Sequence, residues 1–238
     1  MKASKSEGAY LLCIETATVV GSVALFLDDQ LQGSIEYHRA KSHARLLMPM
    51  IRTLLNDMEV EPSALSGIAV SKGPGSYTGL RVGVSTAKGL CMALDKPLLS
   101  LSSLEALAWQ LQPLAQRLGA WICPMIDARR MEVYCALYDA NMGLQQPIQA
   151  KIVETGTFKE LLQSQRVIFA GDGAAKCREL LEASPQAIVL PEQLSTARSM
   201  GPAVFQAFQR GQFEDLTTFE PFYLKDFVAT KPRNRLKG

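Results

Sequence analysis

Two apolar runs, Tyr10-Leu11-Leu12-Cys13-Ile14-Glu15-Thr16-Ala17 and Trp121-Ile122-Cys123-Pro124-Met125-Ile126-Asp127-Ala128, each close on an acidic residue. Continuous apolar runs of this length beside turn residues read as buried strands. Setting Ile14-Glu15 over Ile126-Asp127, 112 positions on, brings Val23-Ala24-Leu25-Phe26 over Cys135-Ala136-Leu137-Tyr138 without a gap. Further along, Val70 to Gly75 resembles Ile168 to Gly173, so Gly73-Pro74-Gly75 matches Gly171-Asp172-Gly173. Two matches in the same order, each behind similar strands, favour an internal duplication.

The pattern between these landmarks supplies the other elements. Tyr10–Ala17, Gly21–Leu27 and Leu31–Tyr37 predict a three-stranded meander. A helix follows from an N-cap at Ser42 to about Met58, with Leu46, Leu47, Met50, Ile51, Leu54 and Leu55 on one face and Pro49 bending it. Then come a strand at Gly67–Ser71, a helix at Thr78–Leu94, a strand at Pro97–Leu101 and a helix at Ser103–Leu118. The second half predicts strands at Ile122–Ala128, Glu132–Tyr138, Gln146–Glu154 and Val167–Ala170, with helices near Thr157–Gln163, Ala174–Ala183 and Thr196–Gly211. The expected fold is α/β, two halves on one β-β-β-α-β-α plan, residues 1–118 and 119–238.

With 238 residues and 47% hydrophobic content, the chain can fill two compact halves. A formal charge of +2 gives no global field towards nucleic acid, so any RNA contact must be local. Cys13, Cys91, Cys123, Cys135 and Cys177 lie in apolar runs without a C-x-x-C pair, which suggests neither a disulfide frame nor a thiolate zinc site. Met1–Tyr10 is polar and lacks the apolar stretch of a signal peptide, and no later run is long enough for a membrane span. A cytoplasmic location away from membranes is expected.

An acidic residue ending a first strand, then a tight hairpin, in each of two halves resembles the actin, sugar-kinase and Hsp70 superfamily (ASKHA, ribonuclease-H-like). The resemblance implies a nucleotide cleft where carboxylates hold hydrated magnesium and turn N–H groups take phosphate. The matching positions are Glu15, Thr16, Asp127, Gly171 and Gly173. Either they form a working magnesium-nucleotide site or they are inherited turn residues in a shrunken cleft.

Gly73-Pro74-Gly75-Ser76-Tyr77-Thr78-Gly79-Leu80-Arg81-Val82-Gly83 is the most specific segment. It reads as a strand, a glycine-rich turn and a helix N-terminus, spaced for neither a Rossmann nor a Walker loop. A tight turn capped by Thr78 and an anion site are both compatible with it. Gly79, Gly83 and Gly89 inside the helix each cost about 1 kcal/mol relative to alanine. Gly79, Gly83, Ala87 and Leu90 share a stripe that would let a second backbone approach, from this chain or from a partner.

With Ile14-Glu15-Thr16 before it and Asp127-Ala128-Arg129-Arg130 after it, this loop is similar to that of the TsaB (YeaZ) family. Ser42-His43 with Leu47 and Pro49, Gly171-Asp172-Gly173, and Pro221-Phe222-Tyr223-Leu224-Lys225 extend the resemblance over nearly the whole chain. It implies a non-catalytic scaffold or activator subunit. Such a subunit pairs with a TsaD-type catalytic subunit and, with a TsaE-type ATPase, supports threonylcarbamoyl transfer to the adenosine beside the anticodon of tRNA, which it meets indirectly. No cofactor is implied on this subunit itself, ATP or ADP with magnesium belonging at the partner interface, and the isolated chain could form a homodimer. Leu47, Met50, Leu54, Gly79, Leu80, Gly83, Val84, Ala87 and Leu90 are the partner-facing candidates.

The related TsaD subunit carries two metal-binding histidines four apart on the helix that here reads Ser103-Leu104-Glu105-Ala106-Leu107. Leucine has no lone pair to offer a metal, and a neutral serine hydroxyl is a poor ligand. His38 and His43, the only histidines, are five apart across a turn, which is not the i, i+4 spacing of a helical metal site. A Ser-His-Asp or Cys-His triad is hard to build from them, and G-x-S-x-G is absent. A glycoprotease is therefore disfavoured, and the enzyme alternative that stays open is a magnesium-nucleotide ATPase or phosphotransferase using Glu15 and Asp127. Arg129 and Arg130 could bind phosphate, pair with the two carboxylates or face outward, with structural ion pairing the expectation. Lys231-Pro232-Arg233-Asn234-Arg235-Leu236-Lys237 reads as a solvated tail or an RNA contact.

Overall fold

The computed structural model describes residues 8–39 and 41–224, so Lys225 and the basic tail at 231–237 lie outside the described residues. The first half contains β1 (Tyr10–Glu15), β2 (Val20–Leu27), β3 (Gln30–His38), α1 (His43–Asp57), β4 (Leu65–Gly73), α2 (Tyr77–Leu94), β5 (Leu98–Ser102) and α3 (Ser103–Leu118). The second contains β6 (Trp121–Asp127), β7 (Glu132–Tyr138), β8 (Leu144–Ile152), α4 (Lys159–Ser164), β9 (Val167–Ala170), α5 (Asp172–Lys176), α6 (Arg178–Leu181), β10 (Ala187–Leu190) and α7 (Gly201–Gln209). The strands form two five-stranded sheets ordered β3-β2-β1-β4-β5 and β10-β9-β6-β7-β8. In each, the first two hairpins are antiparallel and the later strands join in parallel, giving the duplicated actin-like α/β plan.

Four local differences from the sequence reading stand out. Ala187-Ile188-Val189-Leu190 makes a fifth strand beside β9, a four-residue run too short to announce itself. The helix expected over 174–183 is two short ones, and that over 196–211 is a 3₁₀ turn at Ala197–Ser199 followed by α7, with Pro202 in the first helical turn. Ser42 stands at the head of α1, but its hydroxyl donates to the Arg39 carbonyl (2.6 Å) instead of capping the helix.

The helices make three layers around the two sheets. Leu47, Met50, Ile51, Leu54 and Leu55 of α1, with Val84, Ala87 and Cys91 of α2, cover the outer face of the first sheet through Leu12, Ile14, Val23 and Leu25. On its other face lie Met200, Ala203 and Val204, against Leu11, Cys13, Ala24 and Phe26. Leu104, Leu107, Ala108, Leu111 and Ala115 of α3 pack instead on the second sheet, against Ile122, Ile126 and Ala136. Each sheet thus takes a helix from the other half. A cut between residues 118 and 119 separates the strands of the two sheets but not the packing units. The segment after α7 continues on the first sheet: Glu214 N–H donates to the Leu98 carbonyl (2.8 Å) and Phe222 N–H to that of Lys72 (2.7 Å). The five cysteines are free and buried, and no helix among the described residues could cross a membrane.

Two of the three glycines of α2, Gly79 and Gly83, are explained by contacts within the chain. A Cβ on Gly79 would lie 2.1 Å from the Thr16 carbonyl oxygen, and one on Gly83 2.3 Å from Thr16 Oγ1. Thr16 Oγ1 itself donates to the Gly79 carbonyl at 2.9 Å, locking α2 to the end of β1. Nothing lies within 4 Å of the Cβ position at Gly89. Gly89→Ala should therefore stabilise the fold by about 0.5–1 kcal/mol in urea unfolding, while Gly79→Ala should destabilise it by roughly 1–3 kcal/mol. Equal effects at the two sites would contradict the contact with Thr16.

Candidate functional site

β1 delivers Glu15 to the carboxyl end of the first sheet, the end where ligands settle in open α/β sheets. Strand alternation turns the side chain to the same face as Leu11 and Cys13, towards the middle helical layer. There it is completely buried. Oε1 accepts from the Ala17 N–H (2.7 Å) and Ser71 Oγ (2.6 Å), and Oε2 accepts from Ser195 Oγ (2.5 Å). Burial raises the carboxyl above the ordinary range, and the hydrogen bonds from Ser195, Ser71 and the backbone oppose the rise without cancelling it. Either serine hydroxyl can also accept from a protonated carboxyl, so the cradle suits both forms. Ser195 is 180 residues away along the chain and lacked any sequence signal.

The second half is arranged differently, and Asp127 is not the counterpart of Glu15. Six residues separate Glu15 from its hairpin partner Ser22, whereas five separate Asp127 from Val133. This shorter hairpin shifts the first-strand correspondence by one: Ile14 packs on the outer face as Met125 does, so Ile126 occupies the place of Glu15. Asp127 consequently points to the outer layer, is exposed and forms an ion pair with Lys176, while its N–H donates to Asp172 Oδ1 (2.8 Å). Burial raises the Asp172 carboxyl, a tendency the Asp127 N–H opposes. The expected pair of carboxylates facing each other across a cleft is thus not formed.

The two glycine turns do correspond in backbone shape, with φ of 110° at Gly73 and 106° at Gly171. Each presses on the end of its first strand: Cβ atoms would come 2.5 Å from the Ala17 carbonyl oxygen at Gly75 and 2.1 Å from that of Met125 at Gly171, and Gly173 abuts Met125 and Ile126. The helix cap is Ser76, not Thr78, its hydroxyl accepting from Gly79 N–H at 3.3 Å. Pro74 is buried behind a cis peptide with Gly73. Tyr77 is flanked by Arg81, 4.6 Å from its ring centre, and by the ring of Tyr223 at 4.9 Å.

Most partner-facing candidates belong to the interior. Leu47, Met50, Leu54, Gly79, Leu80, Gly83, Val84 and Ala87 are buried, and Leu90 packs partly buried against the same core. Sequence periodicity identified an apolar face correctly but could not tell that β1 and β2 already cover it. Ser103 and Leu107 are fully buried, His43 Nε2 lies 2.9 Å from the Thr18 carbonyl oxygen, and His38 is exposed beside Glu36.

The ion pairing expected for Arg129 and Arg130 is also absent: among the described residues neither has a salt-bridge partner. Both are exposed at the β6–β7 hairpin, with φ of 70° and 50°. The left-handed region costs a residue with a Cβ roughly 1–2 kcal/mol.

The elevated Glu15 carboxyl predicts a pH signature. A folded-state value raised above the unfolded one contributes stability that is present below the unfolded value, near 4.5, and is lost as pH rises through the folded one. Melting temperatures measured from pH 4 to 8 should thus shift in favour of Glu15→Gln, relative to the parent chain, as pH increases. A difference independent of pH would contradict the elevated carboxyl.

Comparison with known proteins agrees with the fold. Residues 31–233 match the family model described as "TsaD: tRNA N6-adenosine threonylcarbamoyltransferase". The Bacillus subtilis "tRNA threonylcarbamoyladenosine biosynthesis protein TsaB" is 35% identical over 175 residues, 72% of this chain and 75% of the relative. Its Escherichia coli namesake is 29% identical over 235 residues, 93% and 96% of the two chains. The solved structure of YeaZ from Pseudomonas aeruginosa superposes with a TM-score of 0.78 at 28% identity, covering 91% of this chain and 100% of the other. By the length of the family match and the identity to the Bacillus subtilis protein, the chain belongs to the TsaB (YeaZ) family, within the wider TsaD-like group.

Proposed function

We propose that this chain is a non-catalytic scaffold or activator subunit for threonylcarbamoyl transfer to the adenosine beside the anticodon of tRNA. It acts by binding a TsaD-type catalytic subunit, in concert with a TsaE-type ATPase. The observation that carries the reading is Glu15: its two oxygens are occupied by Ser71, Ser195 and Ala17 inside a fully buried cradle. A carboxylate so enclosed is poorly placed to meet hydrated magnesium, which keeps most of its waters and needs open coordination space. The outward turn of Asp127 onto Lys176 supports the same view. ATP or ADP with magnesium would then be held between the two subunits, with no cofactor carried by this chain alone.

Since the inner faces of α1 and α2 are engaged with β1 and β2, pairing would use their outer faces, where Met48 and Met92 are exposed. The same face could hold a second copy of the chain in isolation.

The test is product formation on unmodified tRNA by purified TsaD-type and TsaE-type proteins given the threonylcarbamoyl adenylate, with and without this chain. Product should appear only when the chain is present and should survive the combined Glu15→Gln and Asp127→Asn change with less than a threefold loss. Loss of product with co-elution intact would assign chemistry to these carboxylates, and full product without the chain would end the scaffold reading.

A further inference from the structure

The β6–β7 connection holds two successive residues, Arg129 and Arg130, in the left-handed region that Asn and Gly enter at least cost. Strain of this kind persists where the side chains are used, so the backbone outlier points outward to function. Among the described residues neither guanidinium has a carboxylate partner, and Arg129 acts only electrostatically on the neighbouring Tyr134 hydroxyl. The adjacent carboxylate of Asp127 is engaged by Lys176 and by the Arg129 N–H (2.8 Å). Both arginines are exposed, as is Met131 beside them. The tip therefore carries two fixed positive charges, set on a hairpin anchored by Ala128 N–H to the Glu132 carbonyl (3.1 Å) and Val153 N–H to that of Met131 (2.9 Å).

We propose that the Arg129-Arg130 tip is a contact for the sugar-phosphate backbone of RNA, an assignment that rests on the tRNA reading above. Guanidinium forks match phosphate oxygens in a bidentate manner, and a protruding tip suits a polymer that passes across it better than a free anion that needs enclosure. The contact is independent of base sequence, because it reads backbone charge.

Replacing Arg129-Arg130 by Asn-Gly separates the structural from the functional demand, because Asn and Gly adopt positive φ at less cost than arginine. The chain, assembled with its TsaD-type partner, is titrated with unmodified tRNA at about 50 and about 200 mM salt. R129N/R130G should melt at the parent temperature or higher, bind tRNA about tenfold more weakly at low salt, and lower the salt slope by about 1.5 for two lost phosphate contacts. R129K/R130K, which keeps the charge, should retain most of the slope. Unchanged tRNA affinity in a folded R129N/R130G complex overturns the proposal while leaving the scaffold reading intact. Weakened partner binding with unchanged tRNA affinity overturns it in favour of an acidic protein surface. A parent chain that binds neither partner nor tRNA removes both readings together.

Discussion

A carboxylate shut away from water must find its donors in the protein, and Glu15 finds them in three separate stretches of chain. Ala17 lies in its own turn, Ser71 on the neighbouring parallel strand, and Ser195 just before the segment that returns to the first sheet. The same junction is reinforced by Ala197 N–H donating to Ser22 Oγ at 2.9 Å. Breaking one of these bonds would leave a buried acceptor short of a partner, so the cradle fixes where the C-terminal part of the chain lands. Satisfying the carboxylate internally occupies both of its oxygens within the chain.

Around that point the backbone is drawn unusually close. Gly79 and Gly83 let α2 lie directly on Thr16, and Gly171 lets α5 start against Met125. These glycines lower helix propensity, and the contacts they permit offset it. The exchange of helices between halves then joins the sheets into one body, because α3 packs under the second sheet and α7 under the first. A fold held this way presents its outer helices and hairpin tips as the places left for other molecules.

Much of this was legible in the sequence because strand runs and helical faces have short-range periods. The meander, α1, α2, α3 and the glycine-rich turn fall within a few residues of the expected positions. The Glu15–Asp127 pairing was not, since a hairpin shorter by one residue reverses which face a side chain occupies, and apolar residues tolerate the gap-free alignment that hides it. Burial of Leu47, Met50 and Gly83 against the chain's own strands, and the donor Ser195, depend on contacts between distant residues that no local pattern encodes. Asp172 lay within the quoted Gly-Asp-Gly turn, yet only the structure shows it receiving the Asp127 N–H.

The most direct measurement of the central claim is calorimetric titration of the isolated chain with ATP in the presence and absence of magnesium. A chain whose Glu15 is enclosed by its own serines should show no magnesium-dependent heat at millimolar nucleotide. Tight binding that requires magnesium and disappears in Glu15→Gln would show that the cradle opens to a nucleotide, and would contradict the account.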